Sequence, residues 1–175
     1  GSESGYLGFL RDSPSAAQRL CHVLSNSRFL GDALNKSVES VTWLGNDDSL
    51  QPRSRESLDI QTKATLERNA GNINDFANSI RAMRRHEIER IGLAWMSGVI
   101  DDEASLAGMT DVYDAAIEAS LQWAIQHRIN DIQIDEAPAA IAIIGMGRYG
   151  GREVNFSSDA DVIIIYRPAE GADDD

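Results

Sequence analysis

The sequence has very little cysteine, which restricts the chemistry that the chain can perform. Its single cysteine, Cys21, excludes an internal disulfide and any cysteine-based zinc site. Because Cys21 lies in a helical apolar pattern, we predict that it is a small residue of the hydrophobic core. The three histidines, His22, His86 and His127, include no pair at metal-ligand spacing. We therefore expect them at the surface or its boundary rather than on a metal.

Long hydrophobic runs are also absent. No stretch approaches the roughly 20 consecutive apolar residues that a membrane-spanning helix needs, and the sequence shows no signal-peptide pattern. Hydrophobic residues still make up 42% of the chain, which is enough for a real core. These features predict a soluble protein of a reducing compartment, the cytoplasm.

Positive charge is in short supply. The 28 acidic residues outnumber the 16 basic ones and give a net charge of -12. A field of this sign repels phosphate backbones and anionic lipids, so we expect neither nucleic acid nor a membrane as a partner. Part of the acidity lies in residues 173–175, all aspartate, which follow no periodic pattern, as at a boundary within a longer protein.

Apolar residues recur at helical spacing through the first three quarters of the chain. Ser13-Pro14 predicts a helix start, because the serine can cap and the proline suits the first helical position. The residues predicted on the apolar face of this helix are Ala17, Leu20, Cys21 and Leu24. Further helices are predicted after Ser27, over 53–69, and from a Thr110 cap to Ile125. A long helix is predicted from Gly71-Asn72 to Gly98, and the residues expected on its buried side are Phe76, Ile80, Met83, Ile91, Ala94 and Trp95.

The long helix before Gly98 carries a basic cluster, which consists of Arg81, Arg84, Arg85 and Arg90. One interpretation is a solvated face on which these arginines pair with Glu87 and Glu89 along the helix. The other is that some of the arginines face a phosphate-bearing partner.

Near Asp131 the pattern changes from helical stripes to β-branched runs. Residues 132–138 are predicted as a loop, and residues 140–144 and 162–166 as two short buried strands. The predicted fold class is therefore mainly α with a short α/β portion. The predicted organisation is a helical module over 1–135, followed over 136–175 by the beginning of an α/β sheet.

Three glycines after the first strand, Gly145, Gly147 and Gly150, match a dinucleotide-binding fingerprint. That site needs a crossover helix and a parallel second strand, a connection of at least about 10 to 12 residues. Here 11 residues separate Gly150 from Val162, and they include poor helix formers. Glu170 has the spacing of a ribose-binding acid but follows the second strand in a polar tail. The context therefore argues against a dinucleotide site.

Two carboxylates, Asp159 and Asp161, stand two positions apart where the second strand starts, so we expect their side chains on one face. Mg²⁺ takes oxygen ligands and commonly uses one or two carboxylates together with substrate phosphate oxygens. Two such ions can flank a phosphate during an in-line displacement. The structural alternative is an acidic turn that merely caps a strand, and the Asp-x-Asp pattern alone does not decide between the two.

The glycine turn before these carboxylates complements them. Backbone N–H groups at Gly147, Gly150 and Gly151 can hold phosphate oxygens where no side chain intrudes. Ser158 adds a hydroxyl donor, and Arg148 adds a cation for a triphosphate. Strand, glycine turn, paired carboxylates and second strand together favour a site for nucleotidyl transfer over a simple strand cap.

The segment over 145–162 closely resembles the nucleotidyltransferase signature of the bacterial glutamine synthetase adenylyltransferase family. Residues 84–91 resemble a helix of that family, and so do residues 10–14 and 20–34. The resemblance therefore covers most of the chain. It implies a polymerase-β-like nucleotidyltransferase palm, whose first strands would lie over 136–175 in a truncated form.

The family joins two homologous halves in one polypeptide. The resemblance implies that one half transfers AMP from ATP to a tyrosine of glutamine synthetase and that the other removes AMP by phosphorolysis. It also implies regulation by a PII signalling protein. Asp159 and Asp161 would bind Mg²⁺, with Ser158 and the glycine turn on the phosphates. Gly150-Gly151 favours the adenylylating half, whereas residues 155–158 are similar to the removing half of some relatives.

The superfamily implies a third carboxylate on a later strand, and the chain stops shortly after Tyr166. We therefore expect a fragment of a longer enzyme, with little adenylyltransferase activity alone. Two alternatives stay open. One is a nucleotidyltransferase with another acceptor, and the other is a non-catalytic helical module that binds a partner.

Overall fold

The computed structural model describes residues 2–133, 137 and 139–169 of the 175-residue chain. Glu170, the acidic tail at 173–175 and most of the predicted loop at 132–138 lie outside them. Ile132, the first residue of that predicted loop, is helical instead. In chain order the elements are α1 (Ser2–Asp12), α2 (Pro14–Asn26), α3 (Arg28–Lys36), a 3-10 helix (Val38–Gly45), α4 (Asp47–Leu50), α5 (Arg55–Arg68), α6 (Ile73–Met96), α7 (Asp102–Ile132), β1 (Ala139–Gly145), α8 (Gly147–Gly150) and β2 (Val162–Pro168). The protein is mostly helical with a small two-stranded sheet, as the predicted fold class requires at this level. No helix in these residues is long and apolar enough to cross a membrane.

The chain divides into two compact units. The first comprises Gly1–Arg53 and Arg85–Gly108, and the second comprises Ser54–Arg84 and Met109–Asp175. The long helices α6 and α7 contribute residues to both units. The predicted domain boundary between 135 and 136 stays a prediction, because the second unit contains helices as well as the sheet.

Helix α2 enters the core of the first unit by a face one position away from the predicted one. Ala16 and Val23 are fully buried, whereas Leu24 is 56% exposed. Cys21 is exposed, so its predicted place in the core is wrong. One position rotates a helix face by about 100°, and contact with the 3-10 helix selects the Ala16 side. The other buried residues of this core are Leu30, Leu34, Val41, Leu44, Leu50, Leu93 and Ala94.

The predicted pairing along α6 is confirmed for Arg90 with Glu87, but the predicted solvated face is wrong there, because Glu87 lies inside the first unit. Glu87 is 1% exposed, and its carboxylate oxygens lie 3.1 Å from the Nε atoms of Arg53 and Arg90. The Arg90 guanidinium lies 4.1 Å from the centre of the Trp43 ring and also donates to the Ser49 carbonyl. This part of the basic cluster therefore joins segments of the first unit rather than facing solvent.

The ends of the long helices follow their caps. Gly98 has φ of +70°, the left-handed conformation that commonly follows a helix C-terminus, so the predicted end of α6 is confirmed. The predicted start of the next helix at Thr110 is wrong, because α7 already begins at Asp102. The Asp101 carboxylate accepts from the Ala104 amide at 2.8 Å and caps this start. Thr110 is 1% exposed within the helix.

Helix α6 buries most of its predicted side. The confirmed positions are Phe76, Ile80, Met83, Ile91 and Ala94. Trp95 is instead 42% exposed, and its indole N–H donates to the Asp102 carboxylate at 2.6 Å. In the second unit Phe76 stacks on Trp123 with ring centroids 5.7 Å apart. The indole N–H of Trp123 donates to the Asn69 carbonyl at 3.2 Å and ties α7 to the end of α5.

Strands β1 and β2 pair antiparallel, with Gly145 opposite Val162. An antiparallel neighbour does not provide the parallel crossover of a dinucleotide-binding fold, so that alternative is set aside. The two predicted strands are confirmed, but their predicted burial is wrong, because Ile163 and Ile165 are each 48% exposed. Two strands alone leave much of each sheet face open.

Candidate functional site

The two predicted metal-binding carboxylates lie at the entrance to β2. Strand β2 begins at Val162, and the Met146 amide donates to the Asp161 carbonyl at 2.8 Å, which extends the pairing one step beyond β1. Asp159 lies two positions earlier, and both aspartates are exposed. Since strand side chains alternate between faces, Asp161 belongs to the face opposite to that of Val162. The carboxylate of Asp161 is therefore open to a ligand.

The glycine turn α8 lies directly beside Asp161. Gly147 has φ of +53°, and a Cβ at this residue would lie 3.8 Å from Oδ2 of Asp161. A Cβ at Gly150 would lie 2.4 Å from the Gly145 carbonyl oxygen, far inside contact distance. Both glycines are thus explained by geometry, one by a left-handed backbone and the other by close approach of α8 to the end of β1.

The amides of the glycine turn divide into two groups. The Gly150 amide donates to the Met146 carbonyl at 2.9 Å, and the Gly151 amide donates to the Gly147 carbonyl at 3.0 Å. Both are used within the turn. By helix geometry, the amides of Gly147 and Arg148 at the start of α8 have no intrahelical acceptor. The phosphate-binding prediction for the turn is therefore carried by its first amides, and Gly150 and Gly151 shape the turn.

Arg148 is the cation that the turn presents to solvent. Its side chain is exposed and makes no hydrogen bond or ion pair with residues 2–133, 137 or 139–169. It lies one residue after Gly147, whose backbone faces Asp161. An exposed guanidinium without an ion pair to these residues, one residue after the glycine that lies beside Asp161, suits a ligand that carries phosphate.

Ser158 is held in a turn that precedes the carboxylates. Its hydroxyl accepts from the Asn155 amide at 3.1 Å and lies 3.0 Å from Oδ1 of Asn155. The same Asn155 oxygen accepts from the amide and hydroxyl of Ser157, each at 3.0 Å. In this structure the Ser158 hydroxyl is therefore engaged with Asn155. Asn155, which the sequence argument did not single out, organises the approach to Asp159.

Helix α7 supplies further residues that sequence reasoning missed. Tyr149 of the glycine turn is 8% exposed, and its hydroxyl donates to the Asp114 carboxylate at 2.6 Å. Burial, and then the hydrogen bond to Asp114, raise the pKa of the Tyr149 phenol well above its ordinary value. Arg152 lies 2.6 Å from Asp111 and 3.4 Å from Asp114. No sequence signal distinguished Asp111 and Asp114 from the other acidic residues of an acidic chain.

The donor set suits a hard divalent cation. No group of three or more His, Cys, Asp or Glu side chains that could hold a metal ion occurs in the described part of the chain. Asp159 and Asp161 offer oxygen ligands alone, which is the chemistry that Mg²⁺ prefers. Mg²⁺ sites with one or two carboxylates take further oxygens from substrate phosphates and water. The two residues fit such a shared site.

The chain is similar to known proteins over nearly all of its length. The family model described as glutamate-ammonia ligase adenylyltransferase matches residues 17–175. A relative from Bifidobacterium longum (strain DJO10A), named bifunctional glutamine synthetase adenylyltransferase/adenylyl-removing enzyme, is 73% identical over 99% of this chain. Relatives of the same name from Leifsonia xyli subsp. xyli (strain CTCB07) and Mycobacterium tuberculosis (strain ATCC 25618 / H37Rv) are 38% and 37% identical, again over 99% of the chain. The chain spans 16% or 17% of the length of these relatives. No solved structure matches it with statistical significance.

Proposed function

The chain belongs to the glutamate-ammonia ligase adenylyltransferase family, and on this premise we propose that it is part of an enzyme that transfers AMP from ATP to a tyrosine of glutamine synthetase. The observation that carries the proposal is the glycine turn directly beside Asp161, with Asp159 two residues away. The names of the relatives support the reaction and the protein acted on. The family resemblance supports the tyrosine, the cytoplasm and a PII signalling protein as regulator.

Asp159 and Asp161 are the residues that would hold Mg²⁺. When bound, Mg²⁺ neutralises phosphate charge and favours an in-line displacement at phosphorus. The exposed aspartates orient the ion, and the first amides of α8 and the Arg148 guanidinium orient the phosphates. The nucleophile is the hydroxyl of the acceptor tyrosine, whose oxygen loses its proton and bonds to the α-phosphorus of ATP while the bond to the leaving pyrophosphate breaks. The chain therefore needs to position the nucleotide rather than to attack it.

The fold extends the same proposal to the palm. An antiparallel pair of strands joined through a glycine turn, with carboxylates at the entrance to the second strand, is what the first strands of a polymerase-β-like palm would provide. Ile163 and Ile165 are each 48% exposed on the face that Asp161 shares. The proposal places the rest of the palm, with a third carboxylate, in the longer enzyme, so this chain alone should transfer little AMP.

We assign the chain to the adenylylating half. Gly150-Gly151 followed by Ser158-Asp159 and Asp161 supports this choice over the removing half, and the names of the relatives carry both activities. The test is a full-length protein with Asp159→Asn, assayed in both directions. AMP transfer to glutamine synthetase should fall while phosphate-dependent release of AMP from adenylylated glutamine synthetase persists. The opposite pattern would assign the chain to the removing half.

The acceptor is tested separately with labelled ATP. Full-length protein, ATP labelled at the α-phosphate and Mg²⁺ are incubated with glutamine synthetase and, in parallel, with unrelated proteins and small alcohols. We expect label on a tyrosine of glutamine synthetase alone. Label on another acceptor would support a nucleotidyltransferase reaction but would reject glutamine synthetase as the acceptor. No label on any acceptor would favour a non-catalytic helical module.

A further inference from the structure

Helix α7 contacts both turns that precede the carboxylate pair, and we infer from this that Asp111 and Asp114 are positioning residues for the Mg²⁺–nucleotide site. The inference rests on the proposed function. Neither residue is proposed to touch Mg²⁺ or ATP. Their role is to hold the glycine turn α8 against helix α7, so that the Asp161 carboxylate and the first amides of α8 keep one geometry.

The first contact is between Asp114 and Tyr149. The Tyr149 hydroxyl donates to Oδ1 of Asp114 at 2.6 Å, and Oδ2 of the same carboxylate lies 3.4 Å from both Arg55 and Arg152. The Tyr149 ring is buried, and a Cβ at Gly145 would lie 3.0 Å from its Cδ1 atom. Tyr149 is thus wedged between the end of β1 and α7, and its hydroxyl has a charged acceptor.

The second contact is between Asp111 and Arg152. Arg152 has φ of +58°, a left-handed conformation that is unfavourable for a residue with a side chain. Its guanidinium lies 2.6 Å from Asp111 as well as 3.4 Å from Asp114. The backbone of Arg152 also donates to the Tyr149 carbonyl at 3.1 Å. These contacts hold the strained residue that redirects the chain out of α8.

A third contact reaches the turn before Asp159. The hydroxyl of Tyr113, which lies between the two aspartates on α7, donates to the Ser158 carbonyl at 3.3 Å. Val154, in the segment between the two turns, is fully buried. Helix α7 therefore contacts the segment 152–158 at both of its ends.

A short path joins these contacts to the metal-binding residues. Tyr149 belongs to α8, whose residue Gly150 donates to the Met146 carbonyl, and the Met146 amide donates to the Asp161 carbonyl at 2.8 Å. Loosening Tyr149 should therefore loosen the pairing that places Asp161. Residues that orient metal ligands from behind commonly change metal affinity about 10- to 100-fold when substituted.

The experiment uses the full-length protein with Asp114→Asn and Tyr149→Phe, each removing one partner of a hydrogen bond while nearly keeping side-chain volume. The matched controls are Asp131→Asn, an exposed aspartate near the end of α7, and Tyr166→Phe, a tyrosine that is 73% exposed. The first readout is hydrogen exchange of the peptide over 145–161, measured by mass spectrometry without metal or nucleotide. We expect this peptide to exchange about tenfold faster in the two test variants than in the wild type, and at the wild-type rate in the two controls.

The second readout is the Mg²⁺ dependence of AMP transfer. The test variants should need about 10- to 100-fold more Mg²⁺ for half-maximal rate while recovering most of the wild-type kcat at saturating Mg²⁺. Loss of kcat at every Mg²⁺ concentration, with unchanged half-saturation, would show a merely structural role and overturn the inference. So would wild-type exchange and wild-type Mg²⁺ dependence. Asp161→Asn, assayed in the same experiment, separates the proposed function from the positioning role. If Asp161→Asn stays active, the proposed function fails. If Asp161→Asn loses activity but the two test variants behave as the wild type, the positioning role alone fails.

Discussion

The Tyr149 phenol is the residue at which burial, hydrogen bonding and a charged neighbour meet. It could not be singled out from the sequence, because its acceptor Asp114 lies 35 positions earlier in the chain. The proposed carboxylate pair could be singled out, since Asp159 and Asp161 are two positions apart in the sequence and follow the glycines within about ten residues. At the residue scale, the sequence reveals chemistry that is contiguous and conceals chemistry that long-range packing creates.

The raised pKa of Tyr149 predicts an alkaline transition. Its folded pKa exceeds its unfolded value, so its contribution to stability is complete below about pH 10 and is lost as the pH rises further. Of the four tyrosines, we expect one to ionise late in a spectrophotometric titration. Tyr149→Phe should remove this late component, and Tyr166→Phe should leave it in place. Absence of the late component from the wild-type titration would contradict the buried hydrogen bond.

A methyl group at Gly150 tests the close approach of α8 to β1. Gly150→Ala would place Cβ 2.4 Å from the Gly145 carbonyl oxygen. Because that oxygen belongs to the backbone, it cannot move aside as the end of a flexible side chain could. We expect a loss of about 1–3 kcal/mol in the free energy of unfolding, measured with urea. Gly8→Ala is the control, because space around Gly8 in α1 is open and alanine should stabilise that helix by roughly 0.5–1 kcal/mol. Equal effects at the two glycines would refute the contact.

The buried Glu89 carboxylate predicts a pH dependence in the first unit. Glu89 is 3% exposed, and its Oε1 atom has no hydrogen-bond partner among the described residues. Burial raises the pKa of Glu89, although a hydrogen bond with Ser40 and the charges of Arg85 and Arg90 oppose the rise. Its contribution to stability is therefore complete below the unfolded pKa and is lost as pH rises through the folded pKa.

Replacing the Glu89 carboxylate by an amide should remove that loss. We define the offset as the melting temperature of Glu89→Gln minus that of the wild type at the same pH. This offset should be more positive at pH 7 than at pH 4. The matched control variant is Glu67→Gln, at an exposed position of α5. An offset for Glu89→Gln that is the same at both pH values would be evidence against a raised pKa.

The helices show which features of an element are encoded locally. Pro14 and Gly98 mark helix ends where the sequence places them, because proline and glycine act through their own backbones. The buried side of α2 was missed by one position, because two apolar stripes of similar quality run along that helix. The strands were recognised from their β-branched runs, but burial depends on what covers a sheet, which composition does not encode.

Two serines that occupy helix N-cap positions, Ser13 and Ser27, differ in the structure. The Ser27 hydroxyl accepts from the Leu30 amide at 3.2 Å, whereas the Ser13 side chain makes no capping hydrogen bond. Ser27→Ala should therefore lower the free energy of unfolding by about 1 kcal/mol. Ser13→Ala should change it by less than about 0.5 kcal/mol. Thermal unfolding of the two variants measures the contrast, and equal losses would be incompatible with the observed caps.

The whole molecule joins an acidic, mostly helical chain to a small exposed sheet that carries the proposed site. In a chain with a net charge of -12, Arg148 is an exposed cation that forms no ion pair with the described residues. Asp159 and Asp161 are proposed to bind a metal cation, whereas Arg148 is proposed to bind phosphate. The α7 contacts, at separations up to 45 positions, convert this local signature into a defined geometry.

The most direct measurement is AMP transfer by the full-length protein with both carboxylates changed. ATP labelled at the α-phosphate, Mg²⁺ and glutamine synthetase are supplied to Asp159→Asn/Asp161→Asn and to a control, Asp32→Asn/Asp131→Asn, with exposed aspartates. Metal ions contribute several kcal/mol to such reactions, so transfer by the site variant should fall by about 100-fold or more, while the control keeps wild-type activity. Wild-type transfer by the site variant would contradict the assignment of this site.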